Sequence, residues 1–302
     1  MTNKKQTISK DLKCGFVGII GAPNAGKSTL LNHILGQKIA ITSKKPQTTR
    51  NRILGISNTK NTQIIFLDTP GIHKATTLLN RKIVEQAIQA VKDVDLILFM
   101  KDVSSKKGQE AEEMIIRQLL QENKDVILVL NKIDLIKKPS ILPLIEKSKE
   151  MFDFKTIVPV SAKSGLQVDQ LLAEIEKILP PGPPLFPTDM LTDVSERFLV
   201  QELIREKIFR LTGMEIPYST AVTIDSFKNR RKVIHIHATI HVNRKSQKGI
   251  LLGKKGTMIS KIGEKARYDI EKMTNSKVFL ELFVRVTKDW MRNERHLNEF
   301  GY

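Results

Sequence analysis

Short apolar runs alternate with longer amphipathic stretches over the first 180 residues of the chain. The apolar runs predict strands at 14–20, 52–58, 62–68, 95–101, 125–131 and 156–161. Apolar residues three and four positions apart predict helices at 27–36, 79–92, 108–122, 140–150 and 167–178. Strands that alternate with helices form a mostly parallel sheet with helices on both faces, so this part of the chain is predicted to be a doubly wound α/β domain.

A proline-rich segment, "LPPGPPLFPTDM" (179–190), interrupts this alternation. Five prolines in twelve residues prevent a regular helix or central strand, so the segment is predicted to be a semi-rigid linker. We therefore predict a first domain at 1–180, a linker at 181–190 and a second domain at 191–302.

The order of elements changes after the linker. The pattern predicts a helix at 194–212, two strands, a helical region at 247–273, a strand at 277–287 and a terminal helix. Every second residue of "VIHIHATIHV" (from Ile234 to Val242) and of "KVFLELFVRV" (from Val278 to Val286) is aliphatic, so each stretch has one continuous apolar face. Such alternation is typical of half-buried strands, so an α+β domain with helices on one face of a three-stranded sheet is expected.

Charge narrows the class of partner. The chain of 302 residues has a formal net charge of +18, which favours a polyanionic partner, either nucleic acid or an anionic membrane surface. A single cysteine, Cys14, fits a reducing compartment. No apolar run approaches the roughly 18 residues of a membrane span, and no signal-peptide pattern is found, so we expect a cytoplasmic protein.

The sequence "GAPNAGKS" has the spacing of a phosphate-binding loop and lies between a predicted strand and a predicted helix. Backbone N–H groups of such a loop point at phosphates, Lys27 reaches the β- and γ-phosphates, and the Ser28 hydroxyl binds Mg²⁺. The predicted phosphate-binding residues are Gly21, Ala22, Pro23, Asn24, Ala25, Gly26, Lys27, Ser28 and Thr29.

Three further motifs each follow a predicted strand. "DTPG" (68–71) follows "TQIIFL", "NKID" (131–134) follows "DVILVL", and "SAK" (161–163) follows "TIVPV". All are therefore expected at the carboxyl edge of one sheet, where open α/β folds bind ligands. The nucleotide-binding residues predicted here are Asp68, Thr69, Pro70, Gly71, Ile72, Asn131, Lys132, Asp134, Ser161 and Ala162. Asp68 is predicted to hold Mg²⁺ through water.

The "NKID" motif predicts that the base is guanine. The Asp134 carboxylate can accept hydrogen bonds from N1–H and the 2-amino group of guanine, whereas adenine presents an acceptor at N1 and has no 2-amino group. The stem of Lys132 can lie on the base plane, and the Ala162 N–H can donate to O6.

These motifs resemble the translation-factor class of GTPases, and "GAPNAGKSTLLNHILGQKIAITSKKPQTTRNRILGI" followed by "FLDTPGIH" resembles the Era family. The resemblance implies a GTPase with a first switch at about 38–50. It also implies that Thr49 senses the γ-phosphate and binds Mg²⁺ with Ser28, so that Lys27 and Thr49 are the expected catalytic residues.

The side chain that orients the attacking water is not identifiable. Ile72 stands where small signalling GTPases have a glutamine, and the neighbouring His73 is better explained as a solvated loop residue. Asn24 resembles a position that binds a monovalent cation in some related GTPases, so K⁺ is a candidate second ion.

A basic loop marks the second domain. Residues 228–261 contain ten Lys or Arg and no Asp or Glu, and "GKKG" (253–256) lies between two helical patterns. G-x-x-G between helices is typical of a KH domain, whose loop holds about four nucleotides. The predicted RNA-binding residues are Gly253, Lys254, Lys255 and Gly256.

The element order resembles the bacterial (type II) KH arrangement of the Era family. That resemblance implies binding of GTP and GDP, of 16S rRNA near its 3′ end and of the 30S subunit, with a role in 30S assembly by a monomer. Two alternatives stay open: a peripheral signalling GTPase on the anionic cytoplasmic face of the inner membrane, and a binding module without turnover. His235, His237 and His241 share a strand face, for which a solvated or RNA-facing surface is a better interpretation than zinc.

Overall fold

A computed structural model of the protein describes residues 12–43, 45, 48–72, 78–105, 109–122, 124–213, 215–230 and 232–302. These residues form two compact units. The first contains the described residues within 12–37, 52–72 and 85–193, and the second contains the described residues within 38–51, 78–84 and 194–302. The predicted linker therefore belongs to the first unit, and the segment that contains Thr49 belongs to the second.

The first unit is built on a six-stranded sheet. Its elements in chain order are β1 (Lys13–Gly21), α1 (Lys27–Leu35), β2 (Ile53–Asn58), β3 (Thr62–Asp68), α2 (Leu78–Lys92), β4 (Leu96–Asp102), α3 (Gln109–Leu119), β5 (Asp125–Asn131), α4 (Ile141–Lys149), β6 (Thr156–Val160) and α5 (Val168–Ile178). The first seven residues of α2 belong to the second unit.

The strand order is β2-β3-β1-β4-β5-β6, in which only β2 is antiparallel to its neighbour. The prediction of a mostly parallel α/β sheet is thus confirmed. Strands β1, β3, β5 and β6 run in the same direction, so the loops that follow them meet at one edge of the sheet. Central strands are buried on both faces, as the run Leu96–Met100 shows with every residue fully buried.

The second unit pairs helices with one face of a three-stranded sheet. Its further elements are α6 (Glu196–Leu211), β7 (Ala221–Arg230), β8 (Val233–Val242), α7 (Lys245–Leu252), α8 (Thr257–Thr274), β9 (Lys277–Val286) and α9 (Glu294–Glu299). Strand β8 is central, antiparallel to β7 and parallel to β9. Ile236 and Ile240 of β8 pack with Ile262 and Ile270 of α8, which confirms the predicted α+β arrangement.

The predicted helical region at 247–273 is two helices, α7 and α8, separated by the GKKG loop. Glycine at both ends of that loop explains the break, because Gly253 has φ 71° and Gly256 has φ 80°. The predicted strands 62–68 and 125–131 match the structure at both ends, and the other predicted ranges differ from it by at most three residues at an end. Residue 108, at the start of one predicted helix, lies outside the described residues. Within the described part of the chain, no helix has the length and hydropathy needed to cross a bilayer.

The segment after α5 is fixed along the β2–β3 edge of the first unit. The backbone N–H of Ile56 donates to the Leu191 oxygen over 2.8 Å. The buried Gln63 side chain accepts from the N–H groups of Leu185 (2.7 Å) and Phe186 (2.9 Å), and donates to the Phe186 oxygen (2.8 Å). The proline-rich segment therefore has defined partners on this sheet.

Candidate functional site

The phosphate-loop lysine is buried within its own loop. Helix α1 begins directly after Gly26, and the Lys27 Nζ donates to the backbone oxygens of Gly21 (3.0 Å) and Ala22 (3.1 Å). Burial lowers the pKa of Lys27 to about 8, against the opposing effect of the Asp68 charge. The ammonium thus lies at the loop and at the start of a helix, where anions are stabilised.

A hydroxyl and a carboxylate meet beside this lysine. Ser28 Oγ donates to Asp68 Oδ2 over 2.6 Å, and Asp68 is fully buried at the end of β3. Its other oxygen, Oδ1, is buried without a hydrogen-bond partner. Burial raises the pKa of Asp68 to about 6, although the Ser28 hydrogen bond and the Lys27 charge act in the opposite direction.

This pair fits Mg²⁺. Mg²⁺ is a hard cation that prefers oxygen ligands. It usually binds one or two protein side chains, and water and phosphate supply its other ligands. The unpartnered Asp68 oxygen and the Ser28 hydroxyl supply such ligands. Groups of three or more His, Cys, Asp or Glu that could hold a metal by themselves are absent from the described residues.

Asn131 of the "NKID" motif joins two loops. Its side chain donates to the Ala25 oxygen over 2.7 Å and accepts from the Ala162 N–H over 2.9 Å. The side chain packs so closely that a Cβ at Gly26 would lie 2.1 Å from Asn131 Nδ2, which excludes any other residue there. The Ala162 N–H donates to Asn131 in this structure. Its hydrogen bond to guanine O6 therefore stays a prediction.

Lys132 and Asp134 differ in their surroundings. Lys132 has φ 71°, and its Nζ lies 2.5 Å from Asp102 Oδ2 at the end of β4. Asp102 Oδ1 accepts from both the N–H and the hydroxyl of Ser104. Asp134 lies in a single 3₁₀ turn (Ile133–Leu135), and its carboxylate is exposed. The acceptor predicted for the base is thus accessible, and Lys132 has a fixed partner.

Residues 69–72 pack into the unit. The Thr69 hydroxyl is buried and donates to the Ile19 oxygen over 2.8 Å, so it acts here as a support for the loop. The Ile72 N–H donates to the Gly21 oxygen over 3.3 Å, and its side chain is buried. The predicted residues Pro70, Ser161 and Gly71 lie in the same set of loops, and His73 lies outside the described residues.

Thr49, the predicted switch residue, is buried in the second unit between two residues with long-range partners. The Thr48 oxygen accepts from Arg205 Nη2 over 2.5 Å. Arg50 is buried and donates to three backbone oxygens and one hydroxyl, namely those of Pro217, Tyr218, Thr220 and Tyr302. The structure therefore does not join Thr49 with Ser28 and Asp68 in one compact unit.

Sequence reasoning missed Asp102, Arg50 and Arg205. A signal for Asp102 existed, because it is an acidic residue at the end of a buried strand, as Asp68 is. The partners of Arg50 are 167 to 252 residues away in the chain, so no local pattern predicts them. Arg205 has a local partner in Glu202, but its contact with the Thr48 oxygen spans 157 residues.

The GKKG loop is exposed between α7 and α8. Lys254 and Lys255 both face solvent, and Lys255 has φ 51°. A Cβ at Gly253 would lie 2.8 Å from the backbone N of Met258, so a glycine is required where the loop meets α8. Two cations are thus presented on a tight turn at the start of a helix, which suits phosphate.

Comparison with known proteins decides the family. The profile of the 50S ribosome-binding GTPase family matches residues 16–132, and the KH domain profile matches residues 215–291. The chain is 55% identical to the GTPase Era of Geobacter metallireducens over 292 residues, which covers 96% of this chain and 98% of that protein. The chain belongs to the Era family of GTPases.

Other members of the family agree across their whole length. The GTPase Era of Geotalea uraniireducens is 53% identical, with 97% of this chain and 99% of that protein covered. Two crystal structures of Era superpose with a TM-score of 0.93, each covering 96% of this chain and 99% of the other. One is an Aquifex aeolicus variant bound to GDP·AlF4⁻ (42% identity), and the other is Era with MgGDPNP and nucleotides 1506–1542 of 16S ribosomal RNA (43% identity).

Proposed function

We propose that this protein binds GTP with Mg²⁺, hydrolyses it to GDP and phosphate, and binds 16S rRNA near its 3′ end in assembly of the 30S subunit. Nucleotide binding is supported by the hydrogen bond between Ser28 and the buried Asp68 beside Lys27, at the sheet edge where all four motifs meet. The RNA half is supported by the exposed GKKG loop and by likeness to Era bound to an rRNA fragment.

Each motif has a distinct task in this proposal. Loop residues 21–29 surround the phosphates, and Lys27 neutralises the charge that develops on them. Ser28 directly, Asp68 through water and Thr49 in the first switch would hold Mg²⁺, which would supply positive charge against the phosphates. The exposed Asp134 carboxylate accepts from guanine, while the Lys132 stem covers the base plane.

The attacking water is held without a glutamine in this proposal. The buried Ile72 side chain has no polar atom, so the backbone N–H groups near Gly71, Mg²⁺ and a monovalent cation near Asn24 are the proposed supports. Single-turnover GTP hydrolysis in K⁺ and in Na⁺ tests the cation. Equal rates in the two salts would contradict a role for K⁺. Absence of turnover in both salts would favour the alternative of a binding module without GTPase activity.

RNA binding is tested through the GKKG loop. Lys254→Asp with Lys255→Asp reverses two exposed charges and keeps both glycines, so we expect the variant to fold, which circular dichroism checks. Each phosphate contact in a single strand contributes about 0.7 to the salt slope, so the double variant should bind rRNA nucleotides 1506–1542 far more weakly and with a flatter slope. GTP affinity should be unchanged, and wild-type RNA affinity in the variant would contradict the proposal.

The domain limits 1–180, 181–190 and 191–302, a monomer and a cytoplasmic location stay part of the proposal. The described residues between 38 and 51 belong to the second unit, so the full chain is the appropriate sample for each test. Peripheral binding to the inner membrane is the alternative for the basic surface. Titration with the RNA fragment and with anionic vesicles at one salt concentration distinguishes the two partners.

A further inference from the structure

Helices of the second unit cover one face of its sheet, and the opposite face carries an aromatic and basic pattern. Side chains of β9 that point away from the core are Lys277, Phe279, Glu281, Phe283 and Arg285. Phe279 is 48% exposed and Phe283 is 53% exposed, although both belong to a regular strand. Two half-exposed phenylalanines between two cations differ from the scattered apolar residues of an ordinary surface.

The neighbouring strand extends this pattern. Phe279 is opposite His235 of β8, and the two rings lie 5.3 Å apart. On the other side of His235, β7 contributes the exposed Lys228. Further along β8, His241 is buried under the Phe300 ring at 4.2 Å, so the C-terminal segment covers that end of the face. The aromatic part of the face is therefore the part that this segment leaves open.

Acidic groups on this face have partners of their own. Glu281 Oε2 lies 3.1 Å from His237 Nε2. Asp225 accepts hydrogen bonds from the hydroxyls of Thr239 (2.6 Å) and Thr223 (3.2 Å). The exposed cations around the face are Lys228, Arg230, Lys232, Lys277 and Arg285. The face therefore combines aromatic rings with an excess of positive charge.

A cavity of about 500 Å³ links this face to the helix side of the sheet at the β9 edge. Phe283 and Arg285 line it from the open face, whereas Val284 and Val286 line it from the core face. Lys248 of α7, the helix that leads into the GKKG loop, also lines it, as do Thr239 and Asp225, whose carboxylate is hydrogen-bonded to threonine hydroxyls. A single strand of RNA bound at the GKKG loop can thus continue around the edge of β9, passing between Lys248 and Arg285.

We propose that the open face of this sheet is a second contact for single-stranded RNA, whose bases stack on Phe279 and Phe283. The inference rests on the proposed RNA binding and adds a site distinct from the GKKG loop. Four residue steps along the strand separate the two phenylalanines by about 13 Å, which matches roughly four stacked nucleotides at about 3.4 Å each. Exposed aromatic rings beside cations are how sheets bind single strands without reading a fixed sequence.

The test removes both aromatic rings and keeps apolar side chains in their place. Phe279→Leu with Phe283→Leu should lower the affinity for rRNA nucleotides 1506–1542 by about tenfold or more, because each stacked base contributes substantially. The salt slope should stay as in wild type, because no charge is removed, whereas Lys254→Asp with Lys255→Asp flattens it. Phe279→Tyr with Phe283→Tyr should keep wild-type affinity. A photoreactive 4-thiouridine RNA should crosslink to peptide 277–286.

The outcomes separate this inference from the proposed function. Wild-type affinity in the leucine variant, with loss only in the aspartate variant, would overturn the second contact and leave RNA binding at the GKKG loop. No RNA binding by the wild-type protein would overturn both. Normal RNA affinity in the leucine variant but lost binding to 30S subunits would show that the face binds protein, which also overturns the assignment.

Discussion

Lys132 Nζ lies 2.5 Å from Asp102 Oδ2, so the lysine of the "NKID" motif, which follows β5, is held by the acid at the end of the neighbouring strand β4. Both side chains are less than one third exposed, and Ser104 fixes the second Asp102 oxygen with two hydrogen bonds. The pair restricts the Lys132 stem to one direction before any nucleotide arrives. Preorganised groups lose less entropy on binding, so Asp102 is expected to act on nucleotide affinity through Lys132.

Asp102→Asn should lower GTP and GDP affinity about three- to tenfold, because the amide keeps the Ser104 contact but loses the ion pair. Fluorescent nucleotide titration measures this. Glu112→Gln is the matched control, because it breaks the Lys101–Glu112 pair (2.8 Å), whose lysine lies on the same strand. Equal affinities in the two variants would show that Asp102 has no special role.

Asp134→Asn should move base preference from guanosine towards xanthosine nucleotides. The exposed carboxylate is predicted to accept two N–H groups of guanine, whereas an amide can donate to the extra carbonyl of xanthine. Competition of GTP and XTP against a fluorescent nucleotide gives the ratio. If the variant binds GTP with wild-type affinity, the prediction that Asp134 binds the guanine base is wrong.

Arg50→Lys should destabilise the second unit by about 2–3 kcal/mol. The guanidinium is buried and satisfies four acceptors, which a lysine cannot reach together, and unsatisfied buried groups are costly. Trp290, the only tryptophan of the chain, is buried in this unit, so its fluorescence reports the unfolding transition in denaturant. The exposed Arg52, changed to Lys, is the control and should have no effect.

His241 should make the second unit acid-sensitive. Burial lowers the pKa of His241 to about 4, and the positive charge of Arg285 acts in the same direction. In the unfolded chain the imidazole protonates near its ordinary pKa of about 6.5. The unfolded state thus binds the proton first, and stability is lost as the pH falls from about 6.5 towards 4, by about 3 kcal/mol in total.

His241→Gln should remove that part of the pH dependence, measured by Trp290 fluorescence in denaturant between pH 7 and 4. The half-exposed His237, changed to Gln, is the matched control on the same strand. The same slope in wild type and His241→Gln would contradict the assignment, whatever the absolute stability of the variant.

Much of the site could be read from the sequence because its motifs are local. The phosphate loop is recognisable because a strand precedes it and a helix follows it. Asp68 and Asn131 are recognisable because each ends a buried strand, and in every case the pattern spans only about ten residues. Parallel strands then bring these ends together, as predicted. The Asn131 bonds to Ala25 and Ala162 are a consequence of that geometry, although their exact pairing needs coordinates.

The contacts of residues 38–51 could not be predicted in the same way. Arg50 occurs in a polar stretch that resembles a solvated loop, and its acceptors are mostly backbone oxygens, which leave no mark in a sequence. The same limit applies to the exposed Phe279 and Phe283, whose alternation predicted a strand without showing which face helices would cover.

The fixed segment after α5 has a consequence for the synthesis of the chain. Strand β2 is an edge strand of the six-stranded sheet, and its Ile56 N–H donates to the Leu191 oxygen. An uncovered sheet border can pair with another chain and aggregate. Because Leu185, Phe186 and Leu191 leave the ribosome after every strand of that sheet, the nascent first unit exposes this border until the proline-rich segment closes it.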